Sequence, residues 1–167
     1  MGSIHTFWYR PIQPHDAIII HQIALEAWKY TYQSIFSEAF ITEFVQQNYN
    51  PVQLEGLALA AATGSCFFNV ALQNDIIVEF CHIGIRPQAQ LYRIYLRPSS
   101  IGKGGGKGLL ELGERFLSQQ NIASYFCYVH QNNDIGKHFY LRRGFVHKKE
   151  QDREEEWFME KALPGTT

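Results

Sequence analysis

Residues 91–110 read LYRIYLRPSSIGKGGGKGLL, and the order of events in that stretch decides the fold. Over 89–96 strand-forming residues dominate, with Leu91, Arg93 and Tyr95 alternating against Tyr92, Ile94 and Leu96. This reads as a mostly buried strand that Arg97-Pro98 ends. Glycines at 102, 104, 105, 106 and 108 then bare the backbone, and Leu109, Leu110, Leu112, Phe116 and Leu117 follow at helical spacing. The loop therefore sets unobstructed N–H groups at the positive end of a helix, with Lys103 and Lys107 at its mouth. Such a cradle suits a phosphate or pyrophosphate; a merely flexible glycine turn is the plain alternative.

Neither familiar nucleotide loop fits. A P-loop ending in Gly106-Lys107 needs a glycine where Ile101 stands and Ser or Thr where Gly108 stands. A GxGxxG fingerprint puts its third glycine at Lys107 if it starts at Gly102 and at Leu109 if it starts at Gly104. A nucleotide-binding protein built on this loop is accordingly a weak reading.

Upstream, TFWYR over 6–10 reads as a strand stopped by Pro11, and Pro14-His15-Asp16 as a turn and N-cap before a helix over 16–32. Further helices are expected over 37–47 and 51–62, the latter closed by Gly64. Apolar stretches over 66–72 and 76–81 flank Gln73-Asn74-Asp75 and form a hairpin. Downstream come a strand over 122–129, a helix over 133–142 capped by Gly144, and strands over 145–147 and 156–163. The order of elements gives a mixed α/β fold with an antiparallel front half.

With 167 residues, 46% of them hydrophobic, and no repeat or linker-like stretch, one domain over 1–167 is expected, with 164–167 a loose tail. The 15 Lys+Arg against 16 Asp+Glu give no global drive toward nucleic acid or anionic lipid. No apolar run approaches the ~20 residues of a membrane span, and residues 1–9 carry no charged leader, so a cytoplasmic protein without nucleic-acid or membrane partners is expected. Cys66, Cys81 and Cys127 are odd in number and lie in apolar stretches, as buried thiols do, and the histidines show no ligand spacing, so no metal is expected.

Together with Asn133-Asp134-Ile135-Gly136-Lys137-His138-Phe139-Tyr140-Leu141-Arg142-Arg143-Gly144-Phe145, the stretch quoted above resembles the GCN5-related N-acetyltransferase (GNAT) family. There a strand leads into an R/Q-x-x-G-x-G/A loop, and a later N-x-x-A-x-x-F-Y-x-x-x-G-F segment completes the coenzyme A site. Two positions depart: Ile101 stands for Arg or Gln, which removes a side-chain contact to phosphate, and Gly136 stands for Ala, which removes only a methyl.

The resemblance implies the family's fold, α/β of the α+β type with a central, mixed and mostly antiparallel sheet flanked by helices, and acetyl transfer from acetyl-CoA to the primary amine of a small molecule, such as a polyamine, or of a peptide. Ile94, Tyr95 and Leu96 would bind the pantetheine arm through their backbone. Ile101, Gly102, Lys103, Gly104, Gly105, Gly106 and Lys107 would hold the pyrophosphate, and Asn133 would contact the coenzyme arm. Tyr140 would protonate the leaving thiolate; an ordinary packed aromatic is the alternative. The glutamate that many members use as base falls at Tyr92, so Glu79 is the candidate base, with His82 and His130 behind it, structural roles open for all three, and a water chain to solvent an equal alternative. Trp28, Tyr32, Glu79 and Tyr92 are expected to line an aromatic, acidic acceptor pocket that favours a cationic amine; plain core packing is the alternative for the aromatics. A catalytically silent coenzyme A-binding regulatory module is the competing function, and a homodimer is left open.

Overall fold

The computed structural model describes residues 6–165. The reading of the first residues as free of a leader falls partly on 1–5, and that of a loose tail partly on 166–167, outside the described residues. Strands β1 (Trp8–Pro11), β2 (Cys66–Gln73), β3 (Ile76–Gly84), β4 (Gln90–Leu96), β5 (Ser124–His130), β6 (Val146–His147) and β7 (Glu156–Ala162) form one sheet in the order β1-β2-β3-β4-β5-β7-β6. Helices α1 (Ala17–Tyr32), α2 (Glu38–Asn48) and α3 (Pro51–Ala62) precede the β2–β3 hairpin, α4 (Gly105–Gln119) follows β4, and α5 (Asp134–Arg142) follows β5.

Local chemistry sets the ends of these elements. Ser37 caps α2 by accepting from Phe40 N at 3.1 Å, and Asn50 caps α3 by accepting from Gln53 N at 2.9 Å, with Pro51 in the first turn. The β2–β3 turn places Asn74 and Asp75 at φ 51° and 64°, left-handed values these two residues tolerate and a two-residue hairpin requires. Asp16 does not cap α1 as expected; its carboxylate is taken by Arg10 at 2.7 and 3.0 Å and by Gln13 N at 2.8 Å.

Two apolar layers cover the sheet. Phe68, Val70 and Phe80 pack under α1–α3 with Ile20, Ile23 and Leu54, while Cys81, Ile83 and Leu91 pack on the opposite side with Leu109, Leu110 and Leu117 of α4. All three cysteines are free and buried. No helix among the described residues is long and apolar enough to cross a membrane.

Neighbouring strands run antiparallel except β4 and β5, which are parallel and register at a single pair, Gln90 with Phe126. Beyond that pair they diverge, so the β5-facing edge of β4 stays open while β3 continues to pair its other edge as far as Leu96. The divergence corrects the expectation of a mostly buried strand: in β4 only Leu91 is buried, because its later residues face a cleft instead of a neighbour.

Candidate active site

The cleft opened by β4 and β5 has a volume of about 570 Å³. Its walls are β4 (Ile94, Tyr95, Leu96), the glycine loop and α5. Tyr32 from α1 and Tyr128 and Val129 from β5 line it as well.

The loop begins after a 3-10 turn at Pro98–Ser100 and delivers Gly104 as the N-cap of α4 at φ +92°, a left-handed value that a side chain would strain. Ile101, Gly102, Gly104, Gly106 and Lys107 line the cleft. Lys103 and Gly105 do not. Gly105 faces inward instead: a Cβ there would stand 2.6 Å from Glu79 Oε1 and 2.7 Å from Oε2, so any side chain at 105 would have to displace the carboxyl. Tyr9 of β1 reaches the same point and donates to the Gly105 carbonyl at 3.4 Å.

Glu79 lies in β3 opposite Leu96 and is only 1% exposed. Neither carboxylate oxygen has a hydrogen-bond partner among the described residues, and burial pushes the carboxyl up to about 8. The side chain contributes to the cleft wall at the loop end.

Asn133 and Tyr140 share the cleft-facing side of α5, two turns apart. Asn133 Oδ1 accepts from Gly136 N at 2.9 Å, capping α5, and its Nδ2 donates to the Tyr32 hydroxyl at 3.4 Å. Gly136 is therefore more than a missing methyl: a Cβ would lie 2.7 Å from Asn133 Nδ2 and push the cap out of place. Burial raises the Tyr140 hydroxyl well above its ordinary 10, with Cys127, Tyr95, Tyr32 and Cys81 adding to the shift. At neutral pH it is a proton donor. Burial likewise raises the Tyr32 hydroxyl, helped by Tyr95 and Glu156 and opposed by the bond from Asn133.

Tyr92 is the bulged residue of β4, unpaired between Leu91 opposite Ile83 and Arg93 opposite His82; it is 44% exposed and lines the cleft. Trp28, expected beside it, does not line the cleft. Its indole is 8% exposed and packs between Tyr32 and Phe44, with ring centroids at 4.3 and 4.2 Å, because its side of α1 meets α2 and the sheet. His82 is unsuited to the base role considered for it: burial and then Arg93 hold it down at about 3, and its Nδ1 meets Arg93 Nη1 at 2.7 Å. His130 engages both ring nitrogens, Nδ1 with Asn132 N at 3.1 Å and Nε2 with Glu155 at 3.4 Å.

Sequence reasoning missed His138, Arg142 and Arg143, which add cationic or titratable groups to the α5 wall. The adjacent arginines before Gly144 were the available signal. Among the described residues no group of three or more His, Cys, Asp or Glu side chains is placed to hold a metal ion.

Residues 20–145 match the model of the Acetyltransferase (GNAT) family. A spermidine N(1)-acetyltransferase of Thermoplasma acidophilum is 29% identical over 154 residues, covering 91% of this chain and 94% of that protein. The crystal structure of the PaiA N-acetyltransferase from Thermoplasma acidophilum, in complex with coenzyme A, superposes with a TM-score of 0.90 at 27% identity, over 95% of this chain and 99% of that one. A GCN5-related N-acetyltransferase structure from Rhodopseudomonas palustris shares the fold, with a TM-score of 0.76 at 17% identity over 98% of this chain and 99% of the other.

Proposed function

The chain belongs to the GNAT acetyltransferase family, and from that premise we propose that it transfers the acetyl group of acetyl-CoA to a primary amine of an aliphatic polyamine. The observation that carries the reading is the open edge of β4 running into the glycine loop: an extended arm can pair with the backbone of Ile94, Tyr95 and Leu96 while its anionic end reaches the N-terminus of α4. The spermidine acetyltransferase relative supports the choice of acceptor. So do the tyrosines of the cleft, Tyr32, Tyr92, Tyr95 and Tyr128, whose ring faces attract an ammonium or its neighbouring methylenes.

Acetyl-CoA supplies the acetyl group as a thioester. The residues of the cleft hold it, bring the amine to it and manage protons. The loop amides of Gly102, Gly104 and Gly106, with Lys107, bind the pyrophosphate, and the β4 edge fixes the arm so that the thioester lies between Tyr140 and the acceptor. A neutral amine nitrogen attacks the thioester carbon. As the C–N bond forms and the C–S bond breaks, the Tyr140 hydroxyl gives its proton to the departing sulfur and is then reprotonated from solvent. The proton lost by the amine passes to water, since His82 is held neutral and hydrogen-bonded, and Glu79 belongs to the loop end of the cleft. Asn133 sets the position of α5, and hence of Tyr140, through its cap and its bond to Tyr32.

Thiol release from acetyl-CoA, measured with spermidine, spermine, free amino acids, an aminoglycoside and a peptide N-terminus, tests the assignment. Polyamines are expected to give the highest kcat/KM. A higher value with the peptide or the aminoglycoside overturns the acceptor class.

A further inference from the structure

Glu79 combines features that seldom coexist without a use. It is 1% exposed, both of its oxygens lack partners among the described residues, and it is pressed against the first turn of a 15-residue helix whose N-terminus faces the cleft. A buried carboxyl without hydrogen bonds costs stability, and an ionised one costs more. The chain nevertheless makes room for it, keeping residue 105 as glycine where any Cβ would collide with the carboxylate.

The groups around it do not neutralise it. On β3 its titratable neighbour is Cys81, whose thiol burial raises first and Glu79 raises further. From β1 comes Tyr9, raised by burial, by Glu79 and by Glu111 of α4. The paired positions on β2 and β4 are Ala71 and Leu96, and α5 brings Phe139 to within 3.4 Å of a Cβ built on Gly106. The cations of this region, Lys107, Arg142 and Arg143, line the cleft and form no hydrogen bond or ion pair with the carboxylate. A polyphosphate at the α4 N-terminus would therefore meet a like charge at the first turn of that helix whenever Glu79 is ionised.

We propose that Glu79 is a proton-carrying member of the pyrophosphate site: coenzyme binding is coupled to uptake of one proton by this carboxyl, which in its neutral form offers its O–H to the bound anion. The inference rests on the proposed function, since it needs the coenzyme's phosphates at the glycine loop. The proton comes from solvent and returns to it when the coenzyme leaves, so no other reactant is involved. Because burial holds the carboxyl near 8 in the free protein, the coupling falls in a range where the enzyme can be assayed.

The test is calorimetric titration of the protein with acetyl-CoA, which has no free thiol, at pH 8 in two buffers of different ionisation enthalpy, repeated for Glu79→Gln. Working at pH 8 and above keeps the coenzyme's terminal phosphate, with its second ionisation near pH 6, fully ionised throughout. The wild-type protein is expected to take up ~0.5 proton per acetyl-CoA at pH 8, and its Kd to weaken by up to ~tenfold per pH unit above that. Glu79→Gln is expected to bind with no proton uptake and a Kd that changes less than about twofold over the same range. Buffer-independent heats in the wild type overturn the inference even if the variant fails to fold, and acetyl-CoA bound without linkage leaves the acetyltransferase reading standing. Equal pH dependence in wild type and variant overturns it too. Absence of acetyl-CoA binding to the wild type overturns the proposed function and this inference together.

Discussion

Replacing Glu79 by Gln removes a titrating proton site while keeping the shape that fits against Gly105, and its effect on stability should reverse the usual rule that core substitutions destabilise. In the unfolded chain the carboxyl titrates at its ordinary 4.5, and in the folded protein burial moves it to about 8. Between those values the folded state holds a proton that the unfolded state has lost, so stability falls as pH rises through this window. The contribution is fully present below pH 4.5 and gone above pH 8. At 1.36 kcal/mol for each tenfold change in proton affinity, the ceiling is ~5 kcal/mol, and local relaxation around the carboxylate brings the working figure to ~2–5 kcal/mol. A neutral amide pays none of this at any pH. For a chain of this length the variant should unfold roughly 5–15 °C above the wild type at pH 9 and close to it at pH 5. Thermal unfolding followed by circular dichroism at the two pH values measures the difference. The same gap between the proteins at pH 5 and pH 9, or a larger gap at pH 5, would show that Glu79 holds no extra proton in the folded state.

Tyr140→Phe deletes one hydroxyl from α5 and should lower kcat by about 10²-fold with little change in KM for acetyl-CoA; steady-state kinetics near the wild-type rate would remove Tyr140 from the proton path. Gly106→Val sends a branched side chain into the cleft beside Phe139 and should weaken acetyl-CoA binding by at least ~tenfold while the fold survives, as calorimetry and circular dichroism can show together. Ile101→Arg places a guanidinium on the cleft wall and should tighten acetyl-CoA binding by ~1.5–3 kcal/mol; an unchanged Kd would show that the loop already satisfies the phosphates without it. Gly136→Ala should lower the unfolding temperature even though alanine favours helix by about 1 kcal/mol, because the methyl displaces the Asn133 cap. In an Asn133→Ala background the same substitution should raise it.

What was legible in the sequence is what local pattern encodes. The strand, glycine loop and helix around residues 91–110 appear where their period and turn chemistry put them, and the seven-residue spacing of Asn133 and Tyr140 placed both on one side of α5. What was not legible depends on distant pairing. The exposure of β4 follows from its divergence from β5 after a single register pair, which no property of residues 90–96 announces. Trp28 and Tyr32 are one turn apart and both buried, yet only Tyr32 reaches the cleft, because α2 covers Trp28 with Phe44. The side of the sheet on which Glu79 lies was fixed by the alternation of β3, but its pressure against Gly105 depends on how closely α4 docks. In the sequence Gly136 reads as a neutral exchange for alanine, because its constraint comes from the side-chain conformation of Asn133, three residues earlier.

Acetyl transfer to a polyamine is observed directly by following a labelled acetyl group from acetyl-CoA in the presence of the purified protein and spermidine, with thiol release recorded in the same reaction. One acetyl group is expected on spermidine nitrogen for each thiol released, with both signals dependent on the amine and both suppressed in Tyr140→Phe. Thiol release that proceeds equally without amine and leaves the label as free acetate, or a label that never leaves acetyl-CoA with any amine tested, would contradict the proposed transfer.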